Sequence, residues 1–195
     1  MSLLELVQQR LGPDAISQIG RRIGADPGTT GNAVDAAVPL LIAALARNIA
    51  NPAGADALDR AVSSRHDGSL LDNLPMFLQG GTAADGEGIL RHVLGDRAHG
   101  VHAGIGQTTG LDAAKVAQLL PMLAPIVMAA LGRMKRERSL DANGLATLIT
   151  GERERLNESA PGVMGALSRF LDRNHDGSIS DDVGGILGSV FGGKD

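Results

Sequence analysis

The chain has 195 residues, no cysteine, tryptophan or tyrosine, and a formal net charge of −4. That length suits one domain, with or without a small appendage, and lets the chain bury roughly 70% of the surface its unfolded form exposes. The composition excludes disulfide and thiol chemistry. The mixed charges, with Phe77, Phe170 and Phe191 as the only aromatics, offer nucleic acid neither a basic field nor stacking platforms.

Met1–Gly12 has no basic segment followed by an apolar run, so no signal peptide is expected, and the lack of cysteine fits a cytoplasmic location. A first helix is expected to end near Gly24, where glycine accepts the left-handed terminating conformation. Asp26 then caps the next helix, with Pro27 at its first position. Ala33–Ala46 is apolar on most faces, as in a centrally buried helix, and Pro39 should kink that helix or divide it in two. Ala55–Ser64, Ser69–Gln79 and Asp85–Leu94 read as short helices joined by glycine-rich turns. Another helix ends near Gly110, Asp112 is the matching cap, and Val116–Gly132 is a second buried helix interrupted by Pro125. Val116–Met134 is the most apolar stretch, but Pro121, Pro125, Gln118 and Arg133 break it. It reads as a core helix, and no membrane insertion is expected. Ser139–Glu154, Pro161–Leu171 and Ser180–Phe191 complete the helices. Nothing alternates with period 2 over a useful length, so no strand is predicted.

Residues 19–47 align without a gap on residues 105–133, at an offset of 86. Ile19, Gly20, Gly24, Asp26, Pro39, Ala43, Ala44, Leu45 and Arg47 recur as Ile105, Gly106, Gly110, Asp112, Pro125, Ala129, Ala130, Leu131 and Arg133. Upstream, Leu11-Gly12 matches Leu94-Gly95 with a small change of offset. This is a duplicated supersecondary unit that buries its apolar face against its copy. The expected organisation is a duplicated core over 1–157, with copies around 1–50 and 85–135 and linking helices over 55–80. A C-terminal helix–acidic loop–helix over 158–195 packs on that core.

Four segments carry a resemblance: Val38-Pro39-Leu40-Leu41-Ile42-Ala43-Ala44-Leu45, His66-Asp67-Gly68-Ser69-Leu70, Gly88-Ile89-Leu90-Arg91-His92-Val93-Leu94-Gly95 and Leu119-Leu120-Pro121-Met122-Leu123-Ala124-Pro125. In order and spacing they resemble the bacterial YidB-like family, a domain-of-unknown-function family, over nearly the whole chain. The resemblance implies an all-α multihelical array of long and short helices. It carries no established activity, substrate or catalytic residue.

One stretch has metal-ligand spacing. Asp172-Arg173-Asn174-His175-Asp176-Gly177-Ser178-Ile179-Ser180-Asp181-Asp182 begins like an EF-hand loop, with oxygen donors at positions 1, 3 and 5, glycine at 6 and an apolar residue at 8. Asp172, Asn174 and Asp176 supply side-chain oxygens, Ser178 its backbone carbonyl, and Ser180 a water-mediated contact. Position 12 is Val183 where a bidentate glutamate belongs, so Asp182, with Asp181 as the other candidate, takes that role one residue early. Ca²⁺ is the first candidate because the donors are hard oxygens, with affinity near the ~10⁻⁴–10⁻³ M end of the range. The competing reading is an Asp-Gly turn with a serine cap, because His66-Asp67-Gly68-Ser69 repeats the centre of the loop. There the first and third ligand positions are Ser63 and Arg65, which cannot build the same cage.

Other signals are weaker. His92, His99 and His102 are close in sequence, but lack cysteine or an HExxH-type partner, and His92 reads as capping or partly buried. The basic run Arg133–Arg138 complements a helix C-terminus and is otherwise solvated. Glu152-Arg153-Glu154-Arg155 reads as a solvated face. The stripe Val183, Ile186, Leu187 and Val190 packs back on its own domain or docks on a partner. No nucleophile elbow or phosphate loop occurs. The expectation is a non-enzymatic protein that acts by association, with an unknown protein partner or with itself. The alternatives are an enzyme using His66, Asp67 and His92 between the repeats, and a purely structural oligomer without metal.

Overall fold

The computed structural model describes residues 1–50, 52–80 and 83–159. Its elements are α1 (Leu3–Arg10), α2 (Pro13–Ile23), α3 (Pro27–Asn48), α4 (Pro52–Ser64), a 3-10 turn (Ser69–Asp72), α5 (Leu74–Gly80), α6 (Ala83–Leu94), a second 3-10 turn (Gly95–Arg97), α7 (Ala98–Thr109), α8 (Ala113–Glu137) and α9 (Ala142–Ser159). The fold is all-α, and the described residues contain no strand. Ser69–Gln79, expected as one helix, is divided at Asn73 into the 3-10 turn and α5.

The duplicated unit is visible as α2–α3 and α7–α8. Gly24 and Gly110 end α2 and α7 in the left-handed conformation, at φ 67° and 76°, and their N–H groups donate to the carbonyls of Gly20 and Gly106. Gly20 and Gly106 are tight for a second reason. A methyl group on either would lie 2.8 Å from the Ala25 carbonyl oxygen or 2.7 Å from that of Leu111, so the returning chain rests on bare backbone. Asp26 caps α3 by accepting the Thr29 N–H, whereas Asp112 makes no side-chain cap at α8. Asp112 instead pairs with Lys115 at 3.8 Å, and the Lys115 ammonium reaches across to the Gly24 carbonyl at 2.8 Å, tying the two copies together.

Neither proline divides its helix. α3 runs unbroken through Pro39, and α8 through both Pro121 and Pro125. An interior proline costs about 3 kcal/mol, but every residue from Leu119 to Gly132 is buried, so packing outweighs that local penalty. Pro125 has no N–H to offer the carbonyl of Pro121. At that freed carbonyl α6 packs close, with Gly86 so near that a Cβ there would sit 1.8 Å from the oxygen. Backbone meets backbone, the arrangement in which Cα–H groups can face an otherwise unpaired carbonyl.

α8 is the centre of the fold. α6 packs along it most extensively, and α1, α2, α3, α4, α7 and the Ser69–Asp72 turn also rest on it, while α9 covers α3 and α4. By length and hydropathy both α3 and α8 could cross a bilayer, yet 72% and 78% of those apolar windows are buried within the protein. Their apolarity serves the core.

Candidate functional site

The most constructed polar region lies where the C-terminal end of α8 meets α4 and the Asp67-Gly68 turn. The basic run expected to be solvated is an ordered clamp. Arg133 pairs with Asp72 and donates to the Gly68 carbonyl at 3.4 Å. Lys135 pairs with Asp59 and lies 2.8 Å from the Ser63 hydroxyl. Arg136 meets Asp67 at 3.2 Å, and Arg138 donates to the Met1 carbonyl at 2.9 Å. Residues 133–138 leave the helix on several faces, so each cation finds a different acceptor from segments that α8 holds down. The acceptors Asp59, Asp67 and Asp72 are scattered in sequence, and of the three only Asp67 stands out there, as part of an Asp-Gly turn.

The turn itself is built on glycine at both surfaces. Gly68 has φ +95°, and the Asp67 carboxylate accepts the Ser69 N–H at 3.0 Å. On the helix side, Gly132 leaves a notch into which the His66 carbonyl fits, and a Cβ at Gly132 would fall 1.8 Å from that oxygen. Leu71, only 3% exposed, anchors the turn in the core. The bond from Ser69 and the nearby Arg136 hold the Asp67 carboxyl below its usual range, and Arg133 does the same for Asp72. Burial lowers the His66 imidazole, with Arg65 adding to the effect and Asp85 opposing it. Near neutral pH the turn therefore presents ionised carboxylates already matched by guanidinium groups, and a neutral imidazole.

This geometry answers several expectations. Ser63 and Asp67, two positions of the earlier loop, are engaged by Lys135 and Arg136, so that loop is a docked Asp-Gly turn. His66 and His92 do not converge. Asp85, which acts on His66, lies in the first turn of α6, and His92 stands seven residues on, about 10 Å along the helix axis. His92 is exposed rather than capping or partly buried, and its backbone carbonyl accepts the Asn48 side-chain N–H at 2.9 Å. His99 is exposed and His102 half-buried on α7, where burial and the neighbouring His99 lower the His102 imidazole. Among the described residues no three His, Asp or Glu side chains are grouped to hold a metal ion. The proposed ligands Asp172, Asn174, Asp176, Ser178, Ser180 and Asp182, and the Val183–Val190 stripe, lie outside the described residues.

Among the described residues, two surface clefts stand out. One of about 710 Å³ separates α1 from α9, between Met1, Leu4 and Glu5 on one side and Glu152, Arg155, Leu156 and Glu158 on the other. Glu152, expected on a solvated face, is only 3% exposed and accepts from Arg155 at 2.8 Å. The other, of about 420 Å³, lies between α1–α2 and α5, beside the buried and unpartnered Arg10 Nε and Gln18 Oε1. Neither is lined by His66, Asp67 or His92.

The chain belongs to a bacterial protein family: the family model described as "Bacterial protein of unknown function (DUF937)" matches residues 5–134, from α1 through nearly all of α8. This agrees with the resemblance read from the motifs. No curated protein and no solved structure matches the chain.

Proposed function

We propose that this protein is a non-enzymatic, cytoplasmic association module whose C-terminal loop, Asp172–Asp182, responds to Ca²⁺. The observation that carries the reading is the way the first His-Asp-Gly-Ser turn is satisfied. Its carboxylates point at Arg133 and Arg136, and Leu71 fastens it to the core. The second copy of the motif has Ser180 at the position of Leu71 and gains Asp172 and Asn174 in place of Ser63 and Arg65. It thus loses the apolar anchor and gains oxygen donors. A turn that meets guanidinium groups in one place becomes a loop suited to a free hard cation in the other. The placement of His66, Asp67 and His92 supports association over catalysis, since the first two are tied into a docking contact and the third stands apart.

The test is the melting temperature with and without millimolar Ca²⁺, with Mg²⁺ and a chelator as controls. Binding to the folded state alone stabilises it by about 2.7 kcal/mol at a hundredfold excess over the dissociation constant. A Ca²⁺-specific rise that disappears in the Asp172→Ala/Asp176→Ala variant is expected. An equal rise in that variant would remove the loop from the account. Light scattering on the same samples reports whether the partner is a second copy.

A further inference from the structure

We infer that the cleft between α1 and α9 is the seat of the chain's own segment 160–171. The cleft sets three apolar side chains among polar and charged ones. The apolar ones are Leu156, 3% exposed, the partly buried Leu4, and Met1, which at 71% exposed is one of two large hydrophobic side chains open to solvent among the described residues. Glu5, Arg138, Glu152, Arg155 and Glu158 ring it, three acids against two bases. At about 710 Å³ it falls within the ~300–1,000 Å³ of clefts that enclose a few apolar groups.

The occupant follows from where the chain goes. α9 ends at Ser159, and its last turns already line the cleft through Leu156 and Glu158. Thirty-six residues follow, 160–195. From Glu158 to Val163 the chain spans at most about 17 Å, so the next apolar side chains begin within reach of the floor. Val163, Met164, Leu167, Phe170 and Leu171 recur at i, i+1, i+4, i+7 and i+8, one face of a helical period. Arg169 is the only charged residue in 160–171, a cation offered to a rim with one acid in excess. Sequence and cleft therefore agree in reach and charge, and the segment offers apolar side chains to the three that line the cleft. Seating this segment also places Asp172 against the body of the protein. The docking needs no cation and stands apart from the Ca²⁺ reading.

The absence of native cysteine makes the test direct. Glu5→Cys at the rim is combined in turn with Val163→Cys, Leu167→Cys or Leu171→Cys in the full chain, with Gly192→Cys as the control partner. Disulfide closure requires Cα atoms within about 7 Å. Under mild oxidation, at least one of the three pairs closes within a single chain in high yield, while the control pair closes poorly. The result is the same in chelator and in Ca²⁺, which separates it from the fate of the metal loop. Phe170→Asp, added to the pair that closes, abolishes closure without altering the helical circular dichroism of the body. Closure of none of the three pairs in folded variants overturns the inference, as does equal closure of the control pair. Closure only between chains overturns it in favour of a second copy.

Discussion

The two copies of the repeated unit end differently, and the difference shows where the fold is fixed by a shared local rule and where by a neighbour. Both use the same helix-stop-helix: a left-handed glycine, a second glycine four residues earlier under the returning carbonyl, and an aspartate before the long helix. At the far end of the long helices the copies part. α8 has Gly132-Arg133, which admits and clamps the Asp67-Gly68 turn, whereas α3 has Ala46-Arg47 at the matching positions, and α9 packs on α3. A single methyl group separates a helix that can receive a backbone carbonyl from one that cannot.

The largest expected effect of breaking this comparison is Gly132→Ala, which gives α8 the residue of α3. The new Cβ meets the His66 carbonyl at 1.8 Å, and both partners are backbone, so neither yields without moving an element. We expect a loss of roughly 3 kcal/mol or more in urea unfolding, with faster hydrogen exchange at Ser69–Asp72. Wild-type stability in this variant would refute the docking geometry. Next come Gly24→Ala and Gly110→Ala. Both sites have positive φ and open space around them, so each should cost about 1 kcal/mol from backbone strain alone. Unequal losses would show that the two stops are not equivalent.

The caps give a smaller, pH-dependent contrast. Asp26→Ala should destabilise more than Asp112→Ala, because only Asp26 accepts a backbone N–H from its helix. That bond holds the Asp26 carboxyl below its usual value. A depressed carboxylate stabilises fully above its unfolded pKa and loses that contribution as the pH falls through the folded value. The gap between Asp26→Ala and the parent should therefore close below about pH 4, read from thermal melts across pH. The smallest effect is Thr30→Val, which installs the second copy's Val116. The Thr30 hydroxyl donates only to the Asp26 carbonyl, which already accepts the Thr30 N–H, so no group is orphaned and stability should change by less than about 1 kcal/mol.

Much of the fold was legible because its signals are local or repeated. Left-handed glycines, the Asp26 cap and the buried apolar runs are written in adjacent residues, and the offset of 86 exposes the duplication. That Pro39 and Pro125 leave their helices undivided was not legible, because the local penalty is visible in sequence, while the burial that outweighs it is not. The α8 clamp was missed for a related reason. Arg133, Lys135 and Arg136 find Asp72, Asp59 and Asp67 more than sixty residues away, and no spacing rule links them. Glu152 read as a surface charge because its neighbours are charged, yet its helix turns it into the protein.

The sequence by itself determined the all-α class, the two long core helices, the stops that precede them and the membership of the family. These depend on hydrophobic period, glycine conformation and capping chemistry, which act over a few residues. Only the tertiary structure decided that α8 would be the centre, that Gly86 and Gly132 would be contact points between backbones, and that the basic run would close on the Asp67-Gly68 turn. Those outcomes turn on where distant segments meet, because close packing makes the presence or absence of one Cβ depend on what lies across the interface.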